Sequence, residues 1–406
     1  MTGCLLENVR LNGGEGPVEI LMESGTIRAI APRIAVPEGL PRLDGGGGLV
    51  LRPMVDGHVH LDKTRLGLPF ESHVPGASVA ERIAVEERLR ADRPDATAQC
   101  GAALIERMAG FGTMALRSHA DITPGAGLAG LEAELALRER YRGVMDIQIV
   151  AFPQTGVIRV PGLDDLLDAA LKMGADLVGG LDPAGFDEEI AAQLDTVFAL
   201  ADKHGAGVDI HLHDPGTLGT FELRQIAARA RRYGLEGRVA VSHAYCLGQV
   251  PGDDFARTAD LLAESGVDIL TNVPSHVEMP PVADLEARGV TVFLGSDNIR
   301  DAWSPFGTGD MFERAALLCQ RWNWREDADL EHACALASEV PARVLGLRSD
   351  PIAPGTAADL LIVGAACIAD AIATRPARRT LLRAGRVIAE NGRLRAAGNT
   401  KDQDRQ

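Results

Sequence analysis

The chain has 406 residues, of which 46% are hydrophobic and 24% charged, an ordinary globular composition. That length accommodates two or three average domains or one large α/β barrel, and it buries a core without disulfides or a structural metal. The formal charge of −16 argues against a nucleic-acid or anionic-membrane partner.

The N-terminal segment reads as short strands at Cys4–Val9, Val18–Met22 and Thr26–Ile30, separated by Gly13-Gly14, Ser24-Gly25 and Gly45–Gly48. From Val50 onward strand-like and helix-like stretches alternate. Strands are predicted at Val50–His60, Thr113–His119, Ile147–Phe152 and Leu177–Leu181, then at Val208–His211, Val239–His243, Ile269–Val273 and Thr291–Leu294. Helical patterns lie between them at Ser78–Gly110, Leu128–Tyr141, Gly162–Lys172, Glu188–His204, Thr220–Tyr233 and Phe255–Ser265. Eight strands alternating with helices is the count of an α/β (β/α)8 TIM-like barrel, although a doubly wound open sheet shares the pattern. Short strands return at Ala358–Val363, Arg379–Arg383 and Arg386–Ile388. Glycine-punctuated strands at both termini predict a small β-sandwich domain built from the two ends. The expected division is 1–52 with 347–406 for that domain and 53–346 for the barrel. The polar tail from Ala396 is expected to fray.

The six cysteines, Cys4, Cys100, Cys246, Cys319, Cys334 and Cys367, lack C-x-x-C spacing. They read as reduced thiols in a cytoplasmic protein rather than a disulfide framework or a thiolate metal site. Met1–Asn8 shows no signal-peptide pattern, and no apolar run approaches the ~18 residues of a membrane span.

The chemistry sits at the strand ends. The first predicted strand ends in His58-Val59-His60, the second in His119, the fifth in His211-Leu212-His213-Asp214 and the sixth in His243; the eighth runs into Ser296-Asp297-Asn298. In a barrel the C-terminal strand ends ring one site, so these side chains converge. His58 and His60 share one strand face. With His211 and Asp297 they make a three-histidine, one-carboxylate set suited to one divalent metal, Zn(II) or Fe(II), with a position open for water. His243 is placed to take a proton, and one of His213 and Asp214 to pass it to a leaving amine. No G-x-G-x-x-G follows a strand, and no Walker or G-x-S-x-G sequence occurs, which leaves metal-assisted hydrolysis by an activated water.

With these residues in view, the sequence resembles the amidohydrolase superfamily, within it the cytosine deaminase-like branch. The runs that carry the resemblance are Pro53–Lys63, Arg117–Asp121, Asp146–Gln154, Ala175–Gly180, Val241–Ala244 and Ser296–Asp301 with Trp303 and Pro305–Gly307. His211–Thr217, Asp182-Pro183 and Ser242–Cys246 are similar to the N-isopropylammelide isopropylamidohydrolase group. The resemblance implies a mononuclear metal on His58, His60, His211 and Asp297, with His243 handling a proton and Gln154 contacting an amide-like substrate edge. Asp214 stands where cytosine deaminase has a glutamate, and Asn298 where it has a second aspartate; both departures point away from cytosine itself. Lys63, Gln154, Asp182, Asn298 and Trp303 are the expected substrate contacts, Phe306 shares the stacking role open to Trp303, and Asp121 is expected to orient His119 or cap a turn.

The expected activity is removal of an amino or alkylamino group from a planar nitrogen heterocycle of pyrimidine, s-triazine or pterin type. The alternative is a cyclic-amide hydrolase of the dihydroorotase or hydantoinase type, which usually carries a carboxylated lysine after the fourth strand. Val178–Pro183 has no lysine. A non-catalytic assembly protein would have lost metal ligands. The only partner expected is the small heterocyclic substrate, and superfamily analogy implies a homo-oligomer.

Overall fold

The computed structural model describes residues 3–73, 79–92 and 96–395. Eight strands form one parallel sheet whose spatial order follows the chain. They are β1 (Met54–Val59), β2 (Thr113–Asp121), β3 (Asp146–Phe152), β4 (Leu177–Leu181), β5 (Gly207–Leu212), β6 (Val239–His243), β7 (Val267–Thr271) and β8 (Val292–Leu294). A doubly wound sheet would reverse direction at a switch point; this one does not. Closure falls to Asp297, which forms a parallel bridge with Val59 and donates its backbone N–H to His58 O at 2.7 Å. The fold is therefore an α/β barrel, and the residue that seals it is one of the expected metal ligands.

The strands are buried on both faces, as parallel strands covered by crossover helices must be. Two sequence expectations are corrected here. The run Val50–His60 is two strands in different sheets, Arg42–Leu51 and Met54–Val59, with Arg52-Pro53 between them. The helix expected over 78–110 is two helices, Val79–Asp92 and Ala96–Phe111, and Pro94 stands in the sequence between them. Position 78 and the tail from Ala396 lie outside the described residues.

The terminal segments build a second eight-stranded sheet. Its seam joins Arg42–Leu51, parallel to Gly3–Leu11, with Leu360–Val363 antiparallel on its other side. Period two divides the apolar residues cleanly. Val50, Leu360, Ile362 and Leu382 join Leu6, Ile20 and Ile27 in a core of their own. Their neighbours Leu49, Leu51, Leu361, Val363 and Leu381 instead belong to the barrel's core. The sheet folds back on itself through a bridge between Thr26 and Ala357. Arg52 pins the crossing by donating to the carbonyls of Asp350, Pro351, Ala357 and Asp359 at 2.7–3.1 Å. Among the described residues no helix is long and apolar enough to cross a membrane.

Candidate metal centre and active site

At the C-terminal mouth of the barrel the Nε2 atoms of His58 and His60 lie 3.4 Å apart. Asp297 Oδ1 is 3.5 Å from the first and 3.4 Å from the second. Ligands at ~2.1 Å on a tetrahedron sit about 3.4 Å from one another, so this spacing fits one ion. The other nitrogen of each ring is already engaged. His58 Nδ1 is 2.9 Å from Ser242 Oγ, which donates to Asp209 Oδ1 at 2.8 Å. His60 Nδ1 donates to His119 O at 3.1 Å. Both rings therefore carry their proton on Nδ1 and turn an Nε2 lone pair toward the shared space, the support that metal-binding histidines require.

His211 stands beside this trio, and its ligand atoms group with those of His58 and His243. Its ring lies 4.7 Å from His58 and stacks on Phe152 at 4.0 Å, and both of its nitrogens are buried without a hydrogen-bond partner. Burying such orphaned atoms is costly. One of the two His211 nitrogens could ligate a cation, and imidazoles with a carboxylate are a donor set that fits one; both nitrogens of His119 are likewise buried without a partner. Burial first, then the field of Lys63, holds the His60 imidazole down at about 4, in the neutral form a metal needs. Burial alone would raise the Asp297 carboxyl, but the imidazoles around it hold it well below the usual carboxylate range. Gly295 shows how tightly the site is built: a Cβ there would meet His58 Cβ at 2.6 Å.

His119, by contrast, lies behind the set. It stacks on His58 at 3.8 Å, and its Nε2 is 3.8 Å from Asp209 Oδ2. The expectation that Asp121 orients it is corrected: the Asp121 carboxylate goes to Lys63 at 2.9 Å and Arg90 at 2.8 Å.

Two further histidines face one another beside the metal set, their rings stacked at 4.5 Å. His243 is buried and pushed well below its ordinary value by desolvation and by its neighbouring imidazoles. Its Nδ1 meets Tyr245 OH at 3.4 Å, and that hydroxyl donates to Asn272 Oδ1, whose amide donates in turn to Asp297 Oδ2 at 2.6 Å. His213 is raised instead: burial alone would lower it, but Asp182 outweighs that, with Oδ2 2.9 Å from Nδ1. Asp182 also accepts the His213 backbone N–H.

Asp214 turns elsewhere. Its carboxylate accepts Gly185 N at 2.7 Å and lies against Glu222, which accepts Ala184 N at 2.7 Å. It braces the loop after β4 and is not brought to the metal set. Asn298 donates to Asp301 Oδ2 at 2.7 Å and holds its own loop.

Lys63 is fully enclosed, contrary to a solvated surface lysine. It donates to Gln154 Oε1 and Asp121 and lies over the rings of Phe152 and Trp303 at 5.2 and 5.7 Å. Burial opposes its charge, yet Asp121 and Glu86 more than restore it and leave the ammonium protonated. Trp303 joins this cluster through its indole N–H, whereas Phe306 is 78% exposed and walls nothing. Glu86, Arg90, Asp209 and Asn272 were not singled out by sequence, and Ser242 and Tyr245 stood there only as part of a motif, without a role. They are ordinary residue types whose role appears only when the barrel closes.

Backbone strain concentrates at the same mouth. Asp182, His243, Ala244, Val273 and Asp297 all have left-handed φ, between 33° and 77°. For the β-branched Val273 this costs most, and such residues persist where the surrounding structure fixes a site.

A model of the amidohydrolase family matches residues 43–391. The sequence is 32% identical over 357 residues to the N-isopropylammelide isopropyl amidohydrolase of Pseudomonas sp. (strain ADP), covering 86% of this chain and 88% of that protein. The crystal structure of N-isopropylammelide isopropylaminohydrolase from Burkholderia multivorans is similar with a TM-score of 0.92 at 38% identity, over 97% of this chain and 100% of that one. That of 5-methylcytosine deaminase from Klebsiella pneumoniae, liganded with 5-fluorocytosine, gives 0.82 at 27% identity over 95% and 97%.

Proposed function

The chain belongs to the amidohydrolase family and is a hydrolase of carbon–nitrogen bonds other than peptide bonds, and from that premise we propose the reaction and the residues that perform it. The substrate is a planar nitrogen heterocycle of pyrimidine, s-triazine or pterin type, with N-alkylated ammelides first among them. One water is consumed: a ring carbon gains oxygen, its bond to an exocyclic amino or alkylamino nitrogen breaks, and the free amine leaves.

The observation that carries this reading is the meeting of two donor groups at His58, one with His60 and Asp297 and one with His211 and His243, where His243 and the adjacent His213 have opposed proton affinities. His58, His60, His211 and Asp297 would hold one divalent ion, Zn(II) or Fe(II), which would supply Lewis acidity for activating a water. The Tyr245 hydroxyl gives its proton to Asn272, so it accepts from His243 Nδ1 and leaves the other nitrogen, Nε2, as a lone pair. His243 is thus poised to accept a proton. His213, held toward its cationic form by Asp182, is poised to donate one to the departing amine. Two neighbouring groups driven in opposite directions are the usual arrangement of an acid and a base. Asp214 is not needed for this step, because its carboxylate is spent on the loop. Lys63, Gln154 and Trp303 supply the polar and aromatic walls for a flat ring.

The test is amine release by metal-reconstituted protein from cytosine, isocytosine, pterin, ammelide and N-alkylated ammelides, with ammonia and alkylamine measured separately. Alkylamine from the N-alkyl triazines is the expected result. Ammonia from a pyrimidine or pterin alone would move the substrate within the class; no amine from any of them would overturn the reading.

A further inference from the structure

Glu86 is a buried acid that the proposed reaction does not use. It stands on the helix Val79–Asp92, among Glu81, Glu87 and several arginines, where sequence alone reads a solvated charged face. In the structure its carboxylate points into the site. Oε2 accepts the Trp303 indole N–H at 2.6 Å and the Gln154 amide N–H at 3.3 Å, and lies 3.7 Å from Lys63 Nζ. Oε1 accepts from Arg90 Nη2 at 2.7 Å.

One carboxylate therefore holds residues from three distant parts of the chain. Its effect on Gln154 is specific. An amide side chain turns end for end at little cost unless its partners distinguish oxygen from nitrogen. Here they do: Lys63 can only donate and takes Oε1, while the Glu86 carboxylate accepts from Nε2. With one lone pair and one N–H so committed, Gln154 keeps one of each, the complement of a ring edge with adjacent C=O and N–H. The same Oε2 fixes the plane of the Trp303 indole.

We propose that Glu86 is a positioning residue that locks Gln154 and Trp303 in the orientation that reads a lactam-edged ring. This rests on the reading that those two side chains contact substrate.

The test is Glu86→Gln in the full-length metal-loaded protein, an isostere that can donate as well as accept. Three readouts are taken: steady-state release of isopropylamine from N-isopropylammelide, titration with cyanuric acid as a lactam-edged probe, and tryptophan emission of the free protein, assigned with Trp303→Phe. Replacing the fixed oxygen acceptor by an amide that can turn its N–H toward Gln154 and the indole predicts that KM and the cyanuric acid Kd rise about tenfold. A contact made equally in ground and transition states leaves kcat within about threefold. Metal content is unchanged, and the Trp303 emission shifts. Glu86→Asp keeps a carboxyl at shorter reach and falls between wild type and Glu86→Gln, and it carries the test if the glutamine variant does not fold. Unchanged KM and Kd, or a loss of kcat that tracks loss of metal, would overturn the proposal. If the wild type releases no amine at all, the functional reading falls separately. The Trp303 emission then decides whether Glu86 holds the indole, and no shift would overturn the proposal on its own.

Discussion

Ser242→Ala removes a single oxygen from the barrel interior, and its effect on metal binding can be worked out from the structure. Ser242 Oγ stands between His58 Nδ1 at 2.9 Å and Asp209 Oδ1 at 2.8 Å, while Arg117 holds the other Asp209 oxygen at 2.8 Å. All four residues are buried. The chain of bonds puts the His58 proton on Nδ1 and so keeps Nε2 as a lone pair. Alanine leaves a buried N–H without an acceptor, which costs about 1–3 kcal/mol. It also releases the ring to adopt the tautomer that cannot ligate through Nε2. Loss of such outer support lowers metal affinity by ~10–100-fold. Competition with a fluorescent zinc chelator measures that affinity, and denaturant unfolding of the metal-free protein measures the stability cost separately. Metal affinity within about twofold of wild type would show that Ser242 does not set the tautomer of His58 and would refute the reasoning.

Other consequences can be checked in parallel. His58→Ala and Asp297→Ala should each lose metal and activity together, as read by elemental analysis beside amine release; activity in a metal-free Asp297→Ala protein would sink the mechanism. Gly295→Ala places a methyl 2.6 Å from His58 Cβ, so metal content should fall without any ligand being changed. His213→Ala should lower kcat by roughly 10²–10⁴-fold as expected for a proton donor. Asp214→Asn should mainly lower the unfolding temperature, and the reverse pattern would exchange the two roles. Burial and the neighbouring Asp214 push the Glu222 carboxyl up to about 9, so the fold keeps a proton that the unfolded chain releases. Stability is then greatest below the unfolded value of about 4.3 and falls as pH rises through about 9. Glu222→Gln should flatten that fall and melt higher than wild type near pH 8; parallel melting curves at every pH would count against it.

The barrel and the grouping of His58 and His60 with Asp297 were legible because their signals are local. Alternating elements give the strand count, and period two puts His58 with His60 and His211 with His213. What was not legible depends on closure. Asp209 and Ser242 are unremarkable on β5 and β6 until the strands pair and bring them under His58. Glu86 looks like surface charge because its partners lie after β1, β3 and β8. Asp121 stands two residues after His119, where period two puts both side chains on one face, yet its carboxylate goes to the charges of Lys63 and Arg90 instead. The Val50–His60 run concealed a sheet boundary because both strands are apolar there; Arg52-Pro53 was the one mark of it.

The central claim is a metal-dependent hydrolytic cleavage at a ring carbon. It is tested most directly by turnover of N-isopropylammelide in ¹⁸O-labelled water with mass spectrometry of both products. The account predicts unlabelled isopropylamine together with a ring product carrying one labelled oxygen, formed by the metal-loaded protein and not by its chelated form. Amine release without label in the ring, or equal turnover after metal removal, would contradict it.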